Sequence, residues 1–144
     1  MNDFVANAAT LALIKHWEKF MPKEYSDLGA PAIGYGHRIL PGETFTEITE
    51  PQATAILLKD LAKVWSWLSP LIKVKLNPNQ IGALLAFGMN NKPANVKSST
   101  LLKMVNAGDF KNAAEQFKRW NRGGGRVLGG LTKRRADERA LFLS

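Results

Sequence analysis

Residues 22–48, PKEYSDLGAPAIGYGHRILPGETFTEI, break with everything around them. Pro22, Gly29, Pro31, Gly34, Gly36, Pro41 and Gly42 punctuate the stretch, and Ile33, Tyr35, Ile39 and Phe45 fall between them. Turn formers alternating with β-formers predict a small hairpin or irregular sheet and exclude a continuous helix. On either side the pattern is helical. Upstream, Phe4, Leu11 and Ile14 recur at helical spacing and predict a first amphipathic helix. Downstream, Thr49-Glu50-Pro51-Gln52 is a capping box with proline early in the first turn. It opens a run in which Leu57, Leu61, Val64, Leu68 and Ile72 form one apolar face, bent or ended at Pro70.

Asn77-Pro78-Asn79-Gln80 repeats the start signal, and Ile81, Leu84, Leu85 and Met89 continue a buried stripe until Asn90-Asn91-Lys92-Pro93 breaks it. Ser98 or Ser99 caps a short helix through Val105, closed by Gly108. Asp109 caps the next, Phe110 to Trp120, in which Phe117 and Trp120 are spaced to pack into the core. A Gly-rich loop from Gly123 to Gly130 precedes a last helix from about Thr132 to Leu143. The fold class that follows is α+β, mostly α, in a single domain over residues 1–144. A small β-containing lobe, about 21–48, is inserted after the first helix; about 1–20 and 49–144 form a larger helical lobe. A cleft between two lobes is the usual place for a long ligand.

Composition narrows the chemistry. With 144 residues, 45% hydrophobic and 22% charged, the chain is an ordinary globular one. The absence of cysteine excludes disulfides, thiol catalysis and cysteine-based zinc sites, and two histidines cannot hold zinc unaided. The net charge of +8 is unevenly placed: residues 1–50 carry 4 basic and 7 acidic side chains, residues 51–144 carry 16 and 5. Such a basic excess implies an acidic partner, whether nucleic acid, anionic membrane or anionic polymer. Phe4–Ile14 is too short to span a bilayer, and no basic region precedes it as in a signal peptide.

Two carboxylates in the acidic part carry the chemistry. Glu18 stands beside Trp17 and Phe20, where partial burial would keep it protonated. Asp27, nine residues later in the turn-rich stretch, is the more solvated and ionised. Two carboxyl groups held in opposite protonation states across a cleft are what general acid/base cleavage of a glycosidic bond requires. Spacing alone leaves open that both are surface charges.

Glu18…Tyr25-Ser26-Asp27…Ile33-Gly34-Tyr35-Gly36-His37 resembles the signature of the phage lysozyme (endolysin) family of peptidoglycan muramidases. Asn79-Gln80, Met89-Asn90, residues 98–102, Asn106-Ala107-Gly108-Asp109, Phe117-Lys118-Arg119-Trp120-Asn121 and Gly130-Leu131…Arg134-Arg135…Glu138-Arg139 resemble the same family in its order. The likeness runs from about Leu13 to Leu143 and implies a lysozyme-like fold. It implies hydrolysis of the β-1,4 bond between N-acetylmuramic acid and N-acetylglucosamine, with inversion and without metal or cofactor. Glu18 would protonate the leaving oxygen and Asp27 would orient or activate water. Asn90 would contact substrate sugar, although a helix C-cap explains it as well. One arginine of the last helix, Arg134 or Arg135, would approach Glu18. His37 and Asp60 would form a structural pair tying the small lobe to the long helix.

The chain departs from the family at Ala32, where a threonine that helps hold the catalytic water is usual, and the preceding loop is one residue shorter. Asp27 and backbone alone, or Ser26, would then hold the water, or activity would be reduced or lost. Lys92 stands where the family usually has glycine. Two rivals follow. One is a non-catalytic peptidoglycan-binding relative, suggested by Ala32. The other is a nucleic-acid binder built on Lys133-Arg134-Arg135, against which the acidic first part argues. The expected partner is therefore peptidoglycan glycan, with no nucleic acid and no stable membrane insertion, bound by a monomer. The expected location is the bacterial cytoplasm before release to the wall.

Overall fold

The computed structural model describes residues 2–144. The first helix, α1 (Ala8–Glu18), begins after Asn7, whose side chain accepts from the Thr10 N–H. The cap leaves Phe4 outside the helix that its spacing had suggested, half-exposed and tilted against Trp65. Residues 21–38 then form a three-stranded antiparallel sheet, β1 (Met21–Asp27), β2 (Ala30–Gly34) and β3 (His37–Arg38), in that order. Tyr25 pairs with Ala32 and Asp27 with Ala30, and Ala32 pairs in turn with Arg38. The β1–β2 connection is only Leu28-Gly29, both at positive φ (51° and 84°), as the shortest hairpin turns demand.

The long helix α2 (Glu50–Leu68) starts at the Thr49 capping box, with Gln52 returning the bond, and runs into a single 3₁₀ turn at Ser69–Leu71 that contains Pro70. The second capping box, Asn77 with Gln80, opens α3 (Pro78–Met89). Every residue from Gln80 to Gly88 is buried, so α3 is the axis of the helical body, not a helix with one apolar stripe. It packs on α1, α2 and the last helix, α7 (Gly129–Leu143), after α4 (Pro93–Lys97), α5 (Thr100–Asn106) and α6 (Phe110–Gln116). Leu57, Leu61, Leu84, Leu85, Phe87, Phe117 and Phe142 are enclosed. Each such side chain contributes roughly 1.5–3 kcal/mol of apolar transfer. Gly82 allows α1 to lie on α3, because a Cβ there would overlap Thr10 Oγ1.

Three elements differ from the sequence expectation. α3 ends at Met89 with Asn90 as its cap, and Lys92-Pro93 starts the further short helix α4, since proline suits a first turn. The helix from Asp109 ends at Gln116, and Phe117–Arg119 continue as a 3₁₀ turn that turns Trp120 edge-on to Phe87. The Gly-rich segment holds a two-stranded hairpin, β4 (Arg122–Gly123) with β5 (Arg126–Val127), and α7 starts at Gly129, three residues before Thr132. No helix among the described residues is long and apolar enough to cross a membrane.

Candidate active site

The small sheet and the helical body enclose a cleft of about 420 Å³ lined by Glu18, Asp27, Gly36, His37, Asp60 and Asn90, among others. Each arrives there for a local reason. Glu18 is the last residue of α1, and Lys19 closes the helix at φ 60° and turns the chain into the sheet. Asp27 ends β1 immediately before the tight turn. Strand alternation puts Tyr25 and Asp27 on one face and Ser26 on the other. Ser26 is exposed and is not among the residues that line the cleft. Ala32 is wholly buried on the central strand between Tyr25 and Arg38.

Glu18 is fixed on both sides. Arg134 Nη1 donates to its Oε1 at 2.8 Å. Its Oε2 lies against Gly36, where an added Cβ would come to 2.5 Å. The glycine is doubly required, since Gly36 has φ 76° and leaves the carboxylate its place. Trp17, expected to help bury Glu18, instead donates its indole N–H to Asp137 at 2.8 Å, and the Arg134 guanidinium faces the carboxylate. Asp27 is held more loosely by Arg38 at 3.2 Å, in a pair whose two side chains are about half exposed. The Tyr25 hydroxyl is pushed up by burial first, then by the Glu18 and Asp27 carboxylates near it.

His37 Nδ1 lies 2.8 Å from Asp60 on α2, and its Nε2 lies 2.9 Å from Glu43. Burial works against its charge, but the bonds to Glu43 and Asp60 outweigh that and raise its pKa above 6.5. Asn90 caps α3 and also accepts from Arg135 Nη2 at 2.9 Å. Of the two arginines, Arg134 reaches Glu18 and Arg135 reaches Asn90. Both are enclosed, and they share Glu138, which has no exposed surface.

The Phage lysozyme family matches residues 15–138 of the chain, a span that contains every residue of this cleft. The chain belongs to that family. The endolysin of Bacillus phage B103 is 38% identical over 139 residues, covering 94% of this chain and 53% of its own length. The SAR-endolysin of Bacteriophage PS119 is 40% identical over 125 residues, covering 84% of this chain and 73% of its own. A P22 lysozyme variant of solved structure superposes with a TM-score of 0.88 at 32% identity, covering 99% of this chain and 100% of that one. The chain thus spans about half the length of the B103 endolysin. The phage lysozyme fold here is mostly helical with a small antiparallel sheet, the class that the sequence pattern predicts.

Some residues of this phage lysozyme site were hidden in the sequence. Arg38 meets Asp27 only because β3 folds beside β2, which no spacing in a two-residue strand announces. Glu43 joins His37 through a turn after β3, where its Oε1 also accepts the Leu40 N–H at 2.7 Å. Glu138 did leave a trace: it stands three and four residues after Arg135 and Arg134, the spacing of side-chain pairs on one helix.

Proposed function

We propose that this protein is a peptidoglycan muramidase that hydrolyses the β-1,4 bond between N-acetylmuramic acid and N-acetylglucosamine and so lyses bacterial cells. The observation that carries the reading is that Glu18 and Asp27 line one cleft, each held by its own arginine. Glu18 gives its proton to the leaving glycosidic oxygen as the bond to the anomeric carbon breaks. Asp27 orients a water on the opposite sugar face and takes its proton as the new bond forms, which inverts the anomeric centre. Asn90 offers both an amide donor and a carbonyl acceptor, the pair that an N-acetyl group matches. With Ala32 in place of a hydroxyl, Asp27 and backbone position the water. The protein works as a monomer on glycan strands, reaching the wall from the host cytoplasm. Support for the wall as its place of action comes from the endolysins it resembles.

The test is clearance of outer-membrane-permeabilised bacteria by the wild type and by Glu18→Gln. Lysis by the first and its loss in the second is expected, with the α-anomer as the first product seen by proton NMR. Equal lysis by both would remove Glu18 from the chemistry. A wild type that sediments with cell walls without clearing them would make this chain a binder.

A further inference from the structure

Beneath the cleft floor lies a cluster of charges that direct proton transfer to substrate does not use. Glu138 has no exposed surface, and both Arg134 and Arg135 converge on it. Arg134 Nε donates to Glu138 Oε2 at 3.3 Å and Arg135 Nη2 donates to the same oxygen at 2.9 Å. Arg135 Nε stands 2.7 Å from the other oxygen, close enough for an ion pair although not aligned as a hydrogen bond. Arg134 then points onward with its other two nitrogens, and Arg135 with the same Nη2 that already donates to Glu138. Arg134 Nη1 reaches Glu18 on α1, its Nη2 reaches the Ala86 carbonyl on α3, and Arg135 Nη2 reaches Asn90 at the end of α3. The Arg135 guanidinium also lies over the Phe87 ring, 5.2 Å from its centroid.

We propose that Glu138 is a positioning residue: through Arg134 and Arg135 it fixes where Glu18 and Asn90 stand in the cleft. The argument is geometric. A guanidinium is planar and rigid, so holding it on a buried carboxylate fixes its plane and with it the directions of its remaining N–H groups. One carboxylate anchoring two such forks couples the candidate acid on α1 to the candidate sugar contact on α3, although the two lie 72 residues apart in the chain. The alternative is that Glu138 only neutralises two buried cations. Neutralisation alone does not require that both forks end on cleft residues. Burial outweighs the opposing pull of the two guanidiniums and raises the Glu138 carboxyl to about 7. The proposal rests on the muramidase reading for its catalytic consequence.

The experiment is a kinetic cycle on purified glycan strands with Glu138→Gln, Arg134→Met and the double variant. Loss of the anchor should lower kcat on the order of a hundredfold, the usual effect of misplacing a reacting group by about 1 Å, and raise KM several-fold through Asn90. The kcat loss should vanish when Arg134 is already methionine, since the effect travels through that residue. Unchanged kcat and KM in folded Glu138→Gln, or strictly additive losses in the cycle, overturn the proposal. Where Glu138→Gln does not fold, Glu138→Asp keeps the charge and withdraws the carboxylate by one methylene. A folded Glu138→Asp with wild-type kcat and KM overturns it equally. If the wild type proves inactive, the muramidase reading fails on its own. Hydrogen exchange at the Arg134 Nε–H and Arg135 Nη2–H groups then decides the anchoring: faster exchange in the Glu138 variant supports it, unchanged exchange refutes it.

Discussion

At the scale of single residues, the candidate site combines positions that a family signature makes visible with partners that only folding brings. Glu18, Asp27 and the Gly34-Tyr35-Gly36-His37 run were legible through their resemblance to the phage lysozyme signature, since spacing alone left both carboxylates open to being surface charges. Arg38 and Glu43 were not, because what they do depends on strand pairing and on a turn. Gly36 links the two kinds of knowledge. Its φ of 76° and its contact with Glu18 both forbid a side chain. Gly36→Ala should cost about 1–2 kcal/mol for the left-handed backbone, read from urea unfolding, and should reduce lytic kcat more than the lost stability explains. Full activity in a folded Gly36→Ala protein would refute the close approach. His37 carries a pH prediction. Its pKa is raised in the folded protein, so the folded state holds the proton more tightly than the unfolded chain. The stabilisation is complete below about pH 6.5, the ordinary histidine value, and disappears as pH rises through the raised folded value. The melting temperature should therefore fall as pH rises above about 6.5, less steeply in His37→Gln, and the ring should titrate by NMR above 6.5. A midpoint below that value would contradict the pairing with Asp60 and Glu43.

At the scale of elements, helix starts were the most readable feature. Both capping boxes, at Thr49 and Asn77, form as written in the sequence, since a side chain that accepts an orphan N–H needs no tertiary partner. Short elements were the least readable. The two-residue strands β4 and β5 have no room to show an alternation, and α4 hides behind a proline that also reads as a terminator. The β1–β2 hairpin shows a local preference overridden. Leu28 is 97% exposed and sits at φ 51°, a conformation that asparagine tolerates far better than leucine. Leu28→Asn should stabilise the protein by about 0.5–1 kcal/mol, with the denaturation midpoint raised and the slope unchanged. A lower midpoint would show that the leucine side chain makes a contact worth more than its backbone strain.

At the scale of the molecule, the charge asymmetry coincides with the division of labour. The acidic first third holds Glu18, Asp27 and Arg38, and the basic remainder holds Arg134 and Arg135. Fold class was legible because a turn-rich β stretch between capped helices admits few arrangements. The central place of α3 was not. Its apolar residues read as a stripe, whereas burial on all sides is a property of the elements that surround it, which lie far away in sequence.

That central helix also sets how the protein opens. Exposing α3 to water means undoing α1, α2 and α7 together, so its amides should exchange with deuterium only through global unfolding. The small sheet has no such cover on β1, none of whose residues is buried. Its amides should exchange through cheaper, local excursions. The two carboxylates thus stand on parts of the molecule with different opening free energies: Glu18 is tied by Arg134 to the body that opens last, while Asp27 rides on a ribbon that can breathe while the body stays folded. A glycan strand threading between them would meet one fixed jaw and one compliant one.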